Sequence, residues 1–284
     1  MADFFSDLAR FSFLQYALAA GILASVACGV MGSFVVVRRI TYIAGAIAHS
    51  VLGGMGAARY TEVVHGVSWL TPLLGAAAAA VLSALVIGLV SLRVREREDT
   101  VIGAVWAVGM AVGIVFIFKT PGYGENLMSY LFGNILMVSP VDLWFMAGLD
   151  LLIVTAGLLF YRQFLAVCFD EEFALLRGVR VQSLYLLLLC LVALTVVLLV
   201  SVVGIVMVIA LLTLPAATAG YFSRRLIGMM GLSVLLCALF TTGGLALSYV
   251  SALPAGATII LLAGAAYLAV AVVLAVFGRE RLPD

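Results

Sequence analysis

Apolar runs of helical length follow one another along almost the whole chain, and the charged residues are confined to the short stretches between them. A hydrocarbon core about 30 Å thick takes roughly 20 helical residues to cross. Cut on that scale, the pattern predicts eight to nine spanning helices, near residues 13–37, 41–58, 69–92, 100–118, 143–161, 183–202, 204–222, 226–249 and 257–277. One further apolar stretch, 123–138, is shorter and carries Gly124 and Gly133. It suits a re-entrant or interfacial helix better than a full span. The expected fold is all-α, a polytopic transmembrane helical bundle. No soluble domain fits between the runs, so residues 1–284 are expected to form a single membrane domain, with a cytoplasmic loop at about 162–182.

Composition removes the competing classes. Of 284 residues, 65% are hydrophobic and 10% are charged, whereas a soluble domain is about a quarter charged. The net charge is +1, and no basic cluster is dense enough to neutralise a nucleic-acid backbone. The four cysteines, Cys28, Cys168, Cys190 and Cys237, are widely spaced with no CxxC pair. Neither a zinc knuckle nor a disulfide framework is suggested. The first ten residues carry Asp3 and Asp7 against one Arg10, the reverse of a cleaved signal's basic start.

The positive charges orient the bundle. With the N-terminus outside and the C-terminus inside, the inner loops hold 12 of the 15 basic residues, leaving Arg10, Arg59 and Lys119 outside. Short cytoplasmic loops show this excess. Local chemistry marks several boundaries. Ser139-Pro140-Val141-Asp142 reads as an N-cap, a proline in the first turn and an acid on the helix dipole. Pro215 falls inside the seventh span and should kink it. Ser251 to Gly256, with Pro254, reads as an external turn.

Enzymatic motifs are missing. Lys119 is the only lysine, and no GxxxxGK[ST] surrounds it, so a P-loop is excluded. HExxH and GxSxG are also absent. Gly148-Leu149-Asp150 resembles half of an intramembrane aspartyl site, but no second carboxylate lies at comparable depth. Catalysis is not predicted.

Two side chains at membrane depth can ionise, His49 and Asp150. Such groups cost several kcal/mol in hydrocarbon and usually face a cavity or a partner. His49 is flanked one turn away by Gly45 and Gly53, which leave room for a close helix or for water or an ion beside the imidazole. It reads either as an interhelical hydrogen-bonding group or as a metal ligand on a pathway. Asp150 reads either as a second ligand or proton partner, or as a protonated acid bonded across a helix or subunit contact.

The longest cytoplasmic connection contains a compact helix signal over 170–178. Asp170 is placed to cap it, Glu171 and Glu172 to complement its N-terminus, Arg177 its C-terminus, and Gly178 to end it. Phe173 and Leu176 lie one turn apart, with Ala174 between them, so the helix offers an apolar ridge behind an acidic head. A helix so short needs a surface to hold it. Three leading acids favour a partner protein over a membrane surface, where basic residues are usual.

With these residues placed, the chain resembles a permease subunit of the zinc/manganese/iron ABC importer family. The resemblance runs from about Gln15 to Phe277. Its most specific stretch is Gly32-Ser33-Phe34-Val35-Val36-Val37-Arg38-Arg39 leading into Ala48-His49. Tyr130-Leu131-Phe132-Gly133, the loop from Asp170 to Val179, Leu214-Pro215-Ala216-Ala217-Thr218-Ala219 and Thr242-Gly243-Gly244 through Pro254-Ala255-Gly256 follow in order. This resemblance implies a multi-pass protein of the bacterial inner membrane, working as a homodimer among membrane lipid and importing a divalent metal. It also implies a separate cytoplasmic ATP-binding subunit and a periplasmic or lipoprotein metal-binding protein as partners. No cofactor is implied beyond the metal carried as substrate. Residues 170–178 correspond to the coupling helix, and His49 to a histidine on the metal path.

The chain departs from the family pattern at two acids. Gly45 stands where many relatives have one a turn before the histidine, and Ala252 where many have one before the last external turn. By the same resemblance Trp106 takes the place of a polar residue. Asp150 is the other acid at membrane depth and is expected to replace the lost carboxylate by approaching His49. Glu62 and His65, expected on a short external loop, read as an entry site or as a solvated loop. Two alternatives remain at this level: an ABC permease for a metal chelate or other small molecule, and a proton-coupled secondary transporter using Asp150 and His49.

Overall fold

A computed structural model describes residues 2–93, 98–121, 133 and 135–277 of the chain. Its helices are α1 (Ala2–Leu8), α2 (Ser12–Arg38), α3 (Thr41–His65), α4 (Pro72–Arg93), α5 (Glu98–Lys119) and α6 (Pro140–Leu159), followed by α7 (Tyr161–Phe169) and α8 (Glu171–Leu176). The chain continues as α9 (Val181–Val203), α10 (Val208–Phe222), α11 (Leu226–Ser251) and α12 (Ala255–Phe277). Short 3₁₀ turns lie at Ile135–Met137 and Ile205–Met207. The fold is a helical membrane bundle, and nine of the helices follow the nine runs predicted from the pattern. Seven are long and apolar enough to cross a bilayer by themselves. The exceptions are α3, which ends in polar residues, and α10, which is only 15 residues long. Most of the stretch 123–138 lies outside the described residues.

Two sub-bundles share α9. In one, α3 is sandwiched between α4 and α5; in the other, α2 packs against α6, α10 and α11, with α12 on the outside of α10 and α11. The α9 helix touches α4 on one side and α2 on the other. Lipid tails give no hydrophobic drive between helices, so close packing needs small residues. Gly54 and Gly75 meet that need: a Cβ on Gly54 would fall 2.0 Å from the Gly75 carbonyl oxygen, and one on Gly75 2.3 Å from that of Gly54.

The predicted boundary chemistry is present in the structure. Ser139 and Asp142 form a reciprocal capping box, with Asp142 N–H donating to Ser139 Oγ at 3.2 Å and Ser139 N–H to Asp142 Oδ2 at 3.0 Å. Pro215 sits within α10, where it removes the bond to the carbonyl four residues back. That carbonyl, on Leu211, accepts the Cys28 thiol of α2 at 2.9 Å.

The ends of α2 and α4 and the starts of α3, α5 and α9 open on one face, around a vestibule of about 460 Å³. This face carries Arg38, Arg39, Arg93 and Arg180, so the charge rule makes it cytoplasmic. On the opposite face the Tyr249 hydroxyl, near the end of α11, donates to Asp7 of α1 at 2.8 Å.

Candidate functional site

Three features converge on α3. Its eight-residue rise from Thr41 lifts His49 about 12 Å above the cytoplasmic end. There the imidazole stacks on the indole of Trp106 from α5, with ring centroids 4.3 Å apart and planes at 14°. The His49 Nδ1 atom is buried and has no hydrogen-bond partner. An unpaired polar atom at this depth is costly, and the nitrogen is free to accept a proton donor or a cation.

Gly45 lets the indole sit close against α3. A Cβ there would lie 3.3 Å from Trp106 Cζ3 and 2.9 Å from Ile209 Cδ1 of α10. The indole thus occupies the space beside position 45, one turn below the histidine. Tyr42, a further turn toward the cytoplasm, brings its ring to 5.8 Å from Trp106. Beside His49, Ser50 donates to the Ile47 carbonyl at 2.8 Å and shares a 2.7 Å hydrogen bond with Ser83 of α4.

Asp150 lies on α6 and is 7% exposed. Its carboxyl is turned against the backbone of Ala27 on α2, and its Oδ1 has no hydrogen-bond partner. α6 packs chiefly on α2 and α9, and α3 chiefly on α4 and α5, with further contacts to α9 and α10. α9 touches both α6 and α3, and Asp150 Oδ1 and His49 Nδ1 are each without a hydrogen-bond partner. Among the described residues no three His, Cys, Asp or Glu side chains cluster as a metal site.

Glu62 and His65 belong to the last turn of α3, not to a loop, because the helix runs on to His65 rather than ending near 58. Glu62 accepts from Arg59 at 2.8 Å, and His65 meets the Tyr60 ring edge-on at 5.9 Å. The polar end of α3 protrudes from the apolar span, so hydropathy alone stops short of it.

The cytoplasmic helix forms as its caps predict. Asp170 Oδ1 accepts the Phe173 N–H at 2.9 Å, and Gly178 adopts φ +75° after the last turn. Ala174 packs under it against Val167 and Val181. Glu171 ion-pairs with Arg38 at the end of α2, and the Arg38 guanidinium also lies over the Tyr185 ring at 5.7 Å. Phe173 and Leu176 remain 49% and 88% exposed. The helix is thus fixed to the bundle from beneath while its apolar ridge faces away. Just before it, α7 holds the buried Cys168; burial pushes this thiol up to about 11, against the opposing charge of Arg38.

Comparison with known proteins gives a consistent result. The model of the ABC 3 transport family matches residues 10–274. An uncharacterized membrane protein of Synechocystis is 45% identical over 91% of this chain and 90% of its own length. The manganese transport system membrane protein MntC of Halalkalibacterium halodurans is 37% identical over 92% and 87%. Among solved structures, PsaBC from Streptococcus pneumoniae in complex with Fab superposes with a TM-score of 0.84 at 31% identity, covering 95% of this chain and 94% of the other.

Proposed function

The chain belongs to the ABC 3 transport family, and on that premise we propose that it is one permease domain of an ATP-driven importer for a divalent metal, manganese first. It acts as a homodimer that takes metal from an external binding protein and leaves hydrolysis to a separate cytoplasmic ATPase. The observation that carries this reading is the helix at 170–178: capped, anchored through Glu171 to Arg38, and presenting Phe173 and Leu176 outward. A proton-driven carrier needs no such handle. Relatives named as manganese transport proteins supply the choice of metal.

His49 is the path residue in this reading. A permeant ion must be held loosely enough to leave, and one imidazole nitrogen beside an aromatic face provides weak, transient ligation. Asp150, set against α2, is a second polar station rather than a partner of His49. The single nitrogen at His49 also keeps a second reading, a metal chelate, because a chelated ion needs fewer ligands from the protein.

The deciding experiment is elemental analysis of cells expressing the chain with its ATPase and binding-protein partners, wild type beside His49→Ala. Raised manganese that disappears in the variant supports a bare-ion path. Unchanged metal content, with ATPase activity still stimulated by this chain and citrate-bound metal taken up, favours the chelate.

A further inference from the structure

Two recesses of opposite chemistry lie along the seam between α4 and α5. Both helices pack closely on α3 but touch one another little. At the cytoplasmic end the seam meets the vestibule of about 460 Å³, where Ser91 and Leu92 of α4 and Asp99 and Ile102 of α5 are among the lining residues. Deeper in the membrane, Leu82 and Val86 of α4 and Ala104 and Val108 of α5 flank a groove of about 410 Å³ floored by Gly53 and Gly54 of α3. Ala104 follows Ile102 by two residues and Val86 precedes Ser91 by five. The recesses therefore adjoin within about 8 Å along the helix axes.

The groove is apolar and opens sideways: Leu82 and Val108 on its rim are 64% and 61% exposed. In a bilayer such a surface is met by hydrocarbon or by another helix. The vestibule decides between them. Two of its charges, Arg38 and Glu171, are spent on each other. Its other two, Arg39 and Asp99, make no ion pair among the described residues, so one cation and one anion face the same cavity. Arg39 moreover holds φ 61°, a strained conformation that glycine adopts freely and that is found at ligand clamps. The positive charges place this end at the inner membrane surface, and the exposed Tyr42 beside it suits the interfacial belt. Pockets between helices at that level receive lipid headgroups. Hydrocarbon joined to a headgroup of both signs complements both recesses, whereas a transmembrane helix complements only the groove.

We propose that the α4–α5 seam binds one inner-leaflet phospholipid with an amine headgroup, its phosphate on Arg39, its ammonium on Asp99 and an acyl chain along the groove. The site does not depend on which substrate is carried.

In the test, the full chain is stripped of lipid in detergent and titrated with phosphatidylethanolamine or with phosphatidylglycerol of the same chains. Native mass spectrometry counts the lipid bound. Wild type should hold one phosphatidylethanolamine, about tenfold or more tighter than phosphatidylglycerol, the effect of one charge-assisted contact. Arg39→Gly suits the left-handed backbone while removing the guanidinium, and should weaken both lipids by about tenfold or more. Asp99→Asn should remove the preference between them. Ala104→Phe, a ring added at an exposed position of the groove, should weaken both. Melting temperatures without lipid show that each variant is folded, and Arg39→Gly is expected at or above wild type. Unchanged binding in Arg39→Gly, or equal affinity of wild type for the two lipids, overturns the proposal. So does an Ala104→Phe chain that keeps its lipid but loses self-association, because a second copy would then cover the groove.

Discussion

Cys28 on α2 supplies the hydrogen bond that Pro215 removes from α10. The Leu211 carbonyl would otherwise be unpaired in a medium without water, and the thiol reaches it at 2.9 Å. Replacing Cys28 by Ala should cost about 1–3 kcal/mol through the orphaned carbonyl. Cys28→Ser, which keeps a donor, should cost less. Thermal unfolding in detergent ranks the two variants, and equal losses would show that the cavity, not the hydrogen bond, dominates.

The ion pair between Arg38 and Glu171 joins the handle to the bundle while both side chains remain partly exposed. Pairs of that exposure add at most about 1 kcal/mol. Glu171→Ala should therefore leave the melting temperature nearly unchanged yet lower metal uptake per ATP severalfold. The charge-swapped pair, Arg38→Glu with Glu171→Arg, should recover part of the coupling. The ratio of transport to hydrolysis in proteoliposomes measures both.

Phe173 and Leu176 contribute little to the fold because they already face solvent. Truncating Phe173 to Ala should weaken binding of the proposed ATPase by about tenfold or more, as for a buried aromatic anchor at an interface. Stability of the isolated chain should not change. Titration of purified ATPase against the two forms of the permease provides the check.

Cys168 should be chemically silent. Burial pushes its thiol from 9.0 to about 11, so the reactive thiolate is depleted by roughly a hundredfold at pH 8. Because the folded value lies above the unfolded one, burying the neutral thiol contributes stability fully below about pH 9. That contribution is lost as pH rises through 11. Iodoacetamide labelling followed by peptide mass spectrometry should show slow native modification that rises steeply above pH 10, against rapid labelling of the unfolded chain.

Ala252 ends α11 with φ 51° and ψ 37°, a left-handed conformation that costs a side chain roughly 1–2 kcal/mol. Ala252→Gly should raise stability by up to about 1 kcal/mol, net of the added freedom of the unfolded chain. A melting temperature that falls would mean the methyl makes packing contacts worth more than the strain.

Much of the architecture is legible in the sequence because the bilayer imposes one length scale on every span. Capping chemistry is local as well, which is why Ser139 with Asp142 and Asp170 with Gly178 behave as their residue types require. Other features depend on helices far apart in sequence. Trp106 meets His49 only because α5 packs on α3, and nothing in either segment announces the stack. Cys28 finds Leu211 across more than 180 residues. Hydropathy also measures the membrane rather than the helix, so the polar last turn of α3, with Glu62 and His65, looks like a loop in the sequence. The short α1 and the break at Phe160 that separates α7 from α6 carry no apolar-length signal and escape the pattern for the same reason.

The anchor at Arg38 has a mechanical consequence. Arg38 closes α2, Arg39 turns the chain in a left-handed elbow at φ 61°, and α3 begins two residues later. Force applied to α8 therefore enters α3 at its base, about 12 Å from His49. A tilt of about 10° over a lever of that length displaces the imidazole by roughly 2 Å, comparable to one metal–nitrogen bond. In the proposed reading of His49 as a metal ligand, this short arm sets the scale on which a rotation at the cytoplasmic surface would make or break a single ligand contact.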